Sequence, residues 1–194
     1  MRRAGVVVVV VVAVVVGVVL ALTLTGGGSL PIEQRVLRDG EFAGFVAPAH
    51  VSVVRDVGSF LRDVPPSQAT ADARRLRRAG FVAAIIEHLR STVRPVDRDA
   101  ISTVVQFRRV DSARAEVTHA VAGEGAHLTA FAVPGIPGAR GLARSRGYGR
   151  SLDVAFVNGR FFYLVGCAFD ARGKRPPTRS QLISAAQLLY HRVR

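Results

Sequence analysis

Directly after Met1-Arg2-Arg3, an apolar run extends from Ala4 to Leu24, broken only by Thr23 near its end. No other feature limits the chain so strongly. The run has 21 residues. At a rise of about 1.5 Å per residue it makes a helix of about 31 Å, which matches a hydrocarbon core of about 30 Å. Most of it is valine, whose branched Cβ makes it a poor helix former in water. In lipid every backbone polar group must be bonded within the segment, and a helix achieves that. A cleaved signal peptide has a shorter apolar core, about 7–15 residues, and a small-x-small cleavage site. Here the core is longer, and Ala21-Leu22-Thr23 and Thr23-Leu24-Thr25 are poor sites. An uncleaved signal anchor over residues 1–25 is therefore favoured over cleavage. No Cys follows the run, which excludes a lipid-anchored lipoprotein. Arg2 and Arg3 hold the N-terminus in the cytoplasm and send the remainder outside. Arg35 and Arg38 weigh slightly against that orientation. The expected organisation is a transmembrane signal anchor over 1–25, a linker over 26–36 opened by Gly26 to Ser29 and Pro31, and an extracytoplasmic domain over 37–194.

The charge balance is 27 Lys+Arg against 14 Asp+Glu, a net +13, and Lys174 is the single lysine. Arg, Ala, Val and Gly all have G/C-rich codons, so base composition accounts for much of the arginine without a polyanionic partner. The charge still favours weak attraction to anionic lipid, cell-wall polymer or nucleic acid. Cys167 is the only cysteine, which excludes an intrachain disulfide and a multi-cysteine zinc site. With no Trp and three Tyr, the chain is not an aromatic-rich reader of bases or sugars.

Beyond the anchor the pattern predicts one α+β domain, an antiparallel β-sheet packed with helices. Ser67, after Pro65-Pro66, is the expected N-cap of a first helix, with Ala69, Ala73 and Leu76 on its apolar face and Gly80 as its stop. Asp111 is the expected N-cap of a second, striped by Ala113, Val117, Ala120 and Val121 and ended by Gly123. Thr178 and Gln181 form a capping box for a third, with Leu182, Ile183, Ala186, Leu189, Tyr190 and Val193 on one face. Phe81 to Leu89, apolar on both faces at first, reads as a central strand. Ile101 to Val110 and Leu128 to Val133 read as further strands. Asn158-Gly159 predicts a type I′ hairpin pairing Phe156 with Phe161, Val154 with Tyr163 and Leu152 with Val165. Ser52 to Arg62 fits either a short helix or a strand.

This element order, over about residues 65–194, resembles the PsbP-type fold, which implies a sheet sandwiched between helices. No motif residue carries that resemblance, so it assigns no functional residue. The anchor, the strand opening Gly80-Phe81-Val82 and the arginine bias also resemble uncharacterised exported proteins of high-GC bacteria.

The serine-hydrolase elbow, the phosphate-binding P-loop and the H-E-x-x-H zinc helix are all missing from the sequence. Two E-x-x-H pairs, Glu116/His119 and Glu124/His127, have the spacing of carboxylate–histidine metal ligands on a helix. The plainer alternative is solvated residues at a helix C-terminus. Cys167 lies in an apolar strand and reads as a small buried hydrophobe. Glu87-His88 reads as a strand end at an edge or rim.

The most suggestive segment is 133–150. Within it Arg140, Arg144, Arg146 and Arg150 surround Tyr148, a set suited to bidentate phosphate or carboxylate contacts with ring stacking. The alternative is a solvated connection or a strand of its own. Arg172, Lys174, Arg175 and Arg179 make a second basic cluster, and convergence of the two would give one anion-binding surface. The expected function is a non-enzymatic, membrane-anchored extracytoplasmic domain that binds an anionic envelope ligand or a protein partner, without a cofactor. The competing reading is an envelope metalloenzyme built on Glu116, His119, Glu124 and His127. Nucleic acid is disfavoured, because the arginines lack interleaved aromatics and the domain lies outside.

Overall fold

A computed structural model describes residues 30–93, 98–122, 128–173 and 176–194, with Arg146 described by its backbone alone. The expected anchor and the Gly-Gly-Gly-Ser stretch lie outside these residues. Among the described residues no helix is long and apolar enough to cross a membrane.

The architecture is α+β. Among the described residues, seven strands, β1 (Phe45–Val46), β2 (Phe81–Ser91), β3 (Arg98–Phe107), β4 (Leu128–Phe131), β5 (Arg140–Arg146), β6 (Gly149–Asn158) and β7 (Phe161–Asp170), form one antiparallel sheet. Its order is β1-β2-β3-β7-β6-β5-β4. The α-helices among the described residues are α1 (Val57–Phe60), α2 (Pro66–Arg78), α3 (Val110–Val121) and α4 (Arg179–Val193), and a single 3-10 turn spans Ile32–Gln34.

Successive strand residues point to opposite faces, and here both faces are apolar. One face presents Ile85, Leu89, Val104, Val154, Phe156, Tyr163, Val165 and Cys167. It is covered by Leu182, Ala185, Ala186, Leu189 and Val193 of α4 and by Val36, Leu37, Phe42 and Phe45 of the N-terminal segment. Val36, in the stretch read from sequence as linker, is thus part of the core. The opposite face presents Ala84, Val105, Phe107, Ala155 and Phe162. Val57 and Phe60 of α1, Leu76 of α2, and Ala113 and Val117 of α3 cover it.

The capping box at Thr178 forms as expected: Gln181 N donates to Thr178 Oγ1 at 3.2 Å, and Thr178 N donates to Gln181 Oε1 at 2.9 Å. Gly80, at φ +76°, stops α2 in a conformation that favours glycine. Several expectations are corrected. Ser67 is not a cap: Pro65 occupies the N-cap and Pro66 the first turn, where a fixed φ and a missing N–H cost nothing. Asp111 lies inside the first turn of α3, behind Arg109 at the N-cap. There it suits the positive helix end without capping it. The β6–β7 turn is displaced by one residue. Asn158 pairs with Phe161, Phe156 with Tyr163 and Val154 with Val165, so Gly159-Arg160 form the loop. Asn158 stays in the strand and donates to the Val193 carbonyl at the end of α4. The side-chain faces survive this shift, because moving both partners together preserves the alternation. β2 is not central. It stands second in the sheet, beside the two-residue β1 and a bridge from Val54 to Ala84. It is apolar on both faces because both are covered. Residues 140–146 form strand β5 rather than a loop.

Gly141 in β5 pairs with Phe131 of β4 and lies under its ring. A Cβ on Gly141 would lie 2.3 Å from Phe131 Cε2 and 2.4 Å from Cδ2. Gly141→Ala is therefore expected to lower unfolding stability by about 1–3 kcal/mol, read as a reduced denaturant midpoint at unchanged m-value.

Candidate functional site

Strand alternation divides the arginines expected to act together. Arg140 pairs with Ala155, Leu142 with Asp153 and Arg144 with Ser151, all on the α3 face. Arg150 pairs with Phe169 on the α4 face. Arg144 makes an ion pair with Asp153 and donates to the Ala120 carbonyl at 3.3 Å. Burial pushes the Asp153 carboxyl up to about 6, only partly offset by Arg144. Gly166 makes room for it, since a Cβ there would lie 2.4 Å from Asp153 Oδ1. Arg144 is thus committed to the fold. Arg140 is exposed at the other end of β5, and the Arg146 side chain lies outside the described residues.

Tyr148 joins the second cluster instead, and Arg150 lies at the same end of the sheet. Tyr148 is 62% exposed, with the Arg172 guanidinium 3.9 Å over its ring. Arg172 pairs with Asp170 at 2.8 Å and holds that carboxyl down at about 2, chiefly through their side-chain hydrogen bond. Ala171 N donates to the Tyr148 carbonyl at 2.9 Å, tying the β5–β6 turn to the end of β7. Arg150 donates to the carbonyls of Gly147 (2.8 Å) and Gly149 (3.1 Å). Lys174 and Arg175 lie outside the described residues, and Arg179 stacks over Phe131 at 5.1 Å.

Sequence reasoning missed Arg98. It is 6% exposed and pairs across the sheet with Phe169, which pairs in turn with Arg150. Its guanidinium donates to Ser91 Oγ (3.0 Å) and the Gly44 carbonyl (3.1 Å) and lies 4.9 Å over the Phe45 ring. Gly44, at φ +84°, admits it: a Cβ would sit 2.5 Å from Arg98 Nη2. Arg98, Gly44, Ala43, Val93, Pro176, Thr178 and Gln181 line a cleft of about 340 Å³. The cleft opens at the N-terminus of α4, whose macrodipole is positive. Nothing in a sequence rich in arginine distinguished this one.

The expected metal cluster does not assemble among the described residues. Glu116 is ion-paired with Arg75, and His119 Nε2 lies 3.8 Å from Asp72. Glu124 and His127 fall outside the described residues. Among those described, no three His, Cys, Asp or Glu groups could hold a metal ion together. Cys167 is buried and its thiol is pushed up to about 12, mainly by burial, which leaves it a poor nucleophile.

Glu87 is not at a rim. It is 3% exposed, on the α4 face between Ile85 and Leu89, and its Oε2 has no hydrogen-bond partner among the described residues. Glu41, Arg192, Arg35, Tyr163 and Ser102 also make polar contacts on this face. Arg192 bridges Glu41 at 2.8 Å and the Val36 carbonyl at 2.7 Å, and Arg35 donates to the Tyr163 hydroxyl at 2.7 Å. Burial, with Glu41 nearby, raises the Glu87 carboxyl from 4.5 to about 7, against the pull of Arg192. Between those values the folded chain holds a proton that the unfolded chain releases, so stability falls as pH rises through that window. Glu87→Gln, which mimics the protonated form, is expected to raise the melting temperature at pH 8 and to change it little at pH 4. An equal shift at both pH values would contradict this account of Glu87.

No family model and no curated protein matches the chain. Among solved structures it is similar to the extracellular domain of PknH from Mycobacterium tuberculosis, at 15% identity and TM-score 0.49, over 86% of this chain and 98% of that one. The comparisons lend no support to the PsbP-type resemblance.

Proposed function

We propose that the chain is a membrane-anchored extracytoplasmic domain, non-enzymatic, that binds an anionic envelope ligand or the acidic segment of a protein partner. The observation that carries the binding role is the cleft beside Arg98 at the start of α4, with Arg150 and Arg172 at the same pole of the sheet. Its volume, 340 Å³, lies within the range of small-ligand sites, about 300–1,000 Å³. A positive helix end and guanidinium groups favour carboxylate or phosphate. The apolar run behind Arg2-Arg3 supports the anchor and the outside location.

The residues in this reading differ from the set taken from sequence. Tyr148 and Arg150 remain, Arg98 and Arg172 enter, and Arg144 leaves because it lies on the opposite face of the sheet, on the buried Asp153. Arg140 lies at the other end of β5. The metalloenzyme alternative keeps no support, since Glu116 is engaged by Arg75.

Two measurements test the reading. Protease added to intact cells should digest the domain while sparing a cytosolic control. With the full chain in nanodiscs, titration with a short fluorescent polyglutamate peptide and with pyrophosphate should show binding. Arg150→Gln with Arg172→Gln should weaken it about tenfold, the effect of losing charge-assisted contacts of about 1.5 kcal/mol in total. Arg140→Gln should leave it within about twofold. Equal losses from both variants would reject this site.

A further inference from the structure

The chain enters the domain at the pole opposite the cleft. The Leu30 carbonyl accepts from Arg35 Nε at 2.8 Å, and the same guanidinium lies 4.0 Å over the ring of Phe161, the first residue of β7. Asn158 binds the end of α4 at this hairpin. Phe107 N donates to the Arg160 carbonyl and Arg108 N to the Gly80 carbonyl, each at 2.9 Å. These bonds bring the hairpin, the end of β3 and the last turn of α2 to one pole.

That pole carries Arg77, Arg78, Arg108, Arg109, Arg160 and Arg194, all exposed. Val110 stands 40% exposed beside Arg109. Three acids lie near them. Asp56, whose carboxyl is lowered chiefly by the hydrogen bond from Ser59 N, also feels the charge of Arg77, Asp111 pairs with Arg109 at 3.8 Å and Arg114 at 3.5 Å, and Glu33 lies just after Leu30. Positive charge remains in excess.

Leu30 stands six residues after Leu24, the last residue of the apolar run. Six fully extended steps of about 3.6 Å reach at most about 22 Å, only about two Debye lengths at 0.1 M salt. If the run lies in the bilayer, the tether holds the entry to this pole no farther than that from the headgroups, and any path short of full extension brings its charges closer to their field. We infer that the pole built from Arg77, Arg78, Arg108, Arg109 and Arg160, with Val110 among them, docks on the anionic lipid surface of the anchoring membrane and points the cleft away from it. This inference rests on the anchor reading above and on no property of the cleft.

The test uses the full chain in nanodiscs of phosphatidylcholine or of phosphatidylcholine mixed with phosphatidylglycerol, each doped with a headgroup-quencher lipid. A fluorophore is placed at Val110→Cys or, at the opposite pole, at Ala171→Cys; Cys167 is buried and does not compete. In the anionic discs, quenching at position 110 should exceed that at 171 several-fold. The difference should collapse in 1 M salt, where the Debye length is about 3 Å. It should also vanish when Arg77, Arg78, Arg108, Arg109 and Arg160 are all changed to Gln, since each arginine near an anionic surface contributes roughly fivefold. Equal quenching at the two positions in anionic discs, with the chain still resistant to alkaline carbonate extraction, overturns the docking inference and leaves the anchor reading standing. Release of the chain by carbonate overturns both.

Discussion

The three middle strands, β3, β7 and β6, are apolar on both faces, and each face must be removed from water separately. Burial is worth about 25 cal/mol per Å² of apolar surface, so neither face can be left bare without a large loss. Two unlike covers do the work. Helix α4 and the N-terminal segment lie on one side, and α1, α2 and α3 on the other. The stacked pair Phe156 and Tyr163, with ring centroids 4.7 Å apart, centres the first layer, and Tyr190 of α4 meets Phe156 edge-on at 5.9 Å.

The N-terminal segment has no regular structure long enough to hold itself in place. Its backbone groups therefore find partners on the elements it covers. Leu37 N donates to Ser102 Oγ at 2.9 Å, and Arg192 of α4 collects the Val36 carbonyl and the Glu41 carboxylate. Arg35 adds a bond to the Tyr163 hydroxyl and a stacking contact on Phe161. Charged groups buried in pairs avoid the penalty of isolated charges. Glu87, in the same layer, lacks such a partner at Oε2 among the described residues, and burial raises its carboxyl to about 7.

The same antiparallel topology gathers arginines at two opposite ends of the strands. Chain entry, the β6–β7 hairpin and the ends of α2 and α4 lie at one pole. The β5–β6 turn, the start of α4 and the cleft lie at the other. A domain tethered at the first pole would have the second free for a ligand.

Periodicity determined much of this from the sequence alone. The helices at 66–78, 110–121 and 179–193, the capping box at Thr178, and the face assignments of the β6–β7 hairpin all follow from local spacing. Such features depend on residues within a few positions of one another. The hairpin register was decided elsewhere, because Asn158 is held by the end of α4, 35 residues away. The candidate site was legible only in part. Tyr148 and Arg150 were visible as a Gly-relieved basic turn, but β5 formation aimed Arg144 at Asp153, on the opposite face from Arg150. Arg98 and Glu87 carried no local mark, since burial of a charged side chain is a property of what packs over it. Sequence spacing fixes which way a side chain points along its own element; only the assembled layers decide whether it meets water, a partner charge or the core.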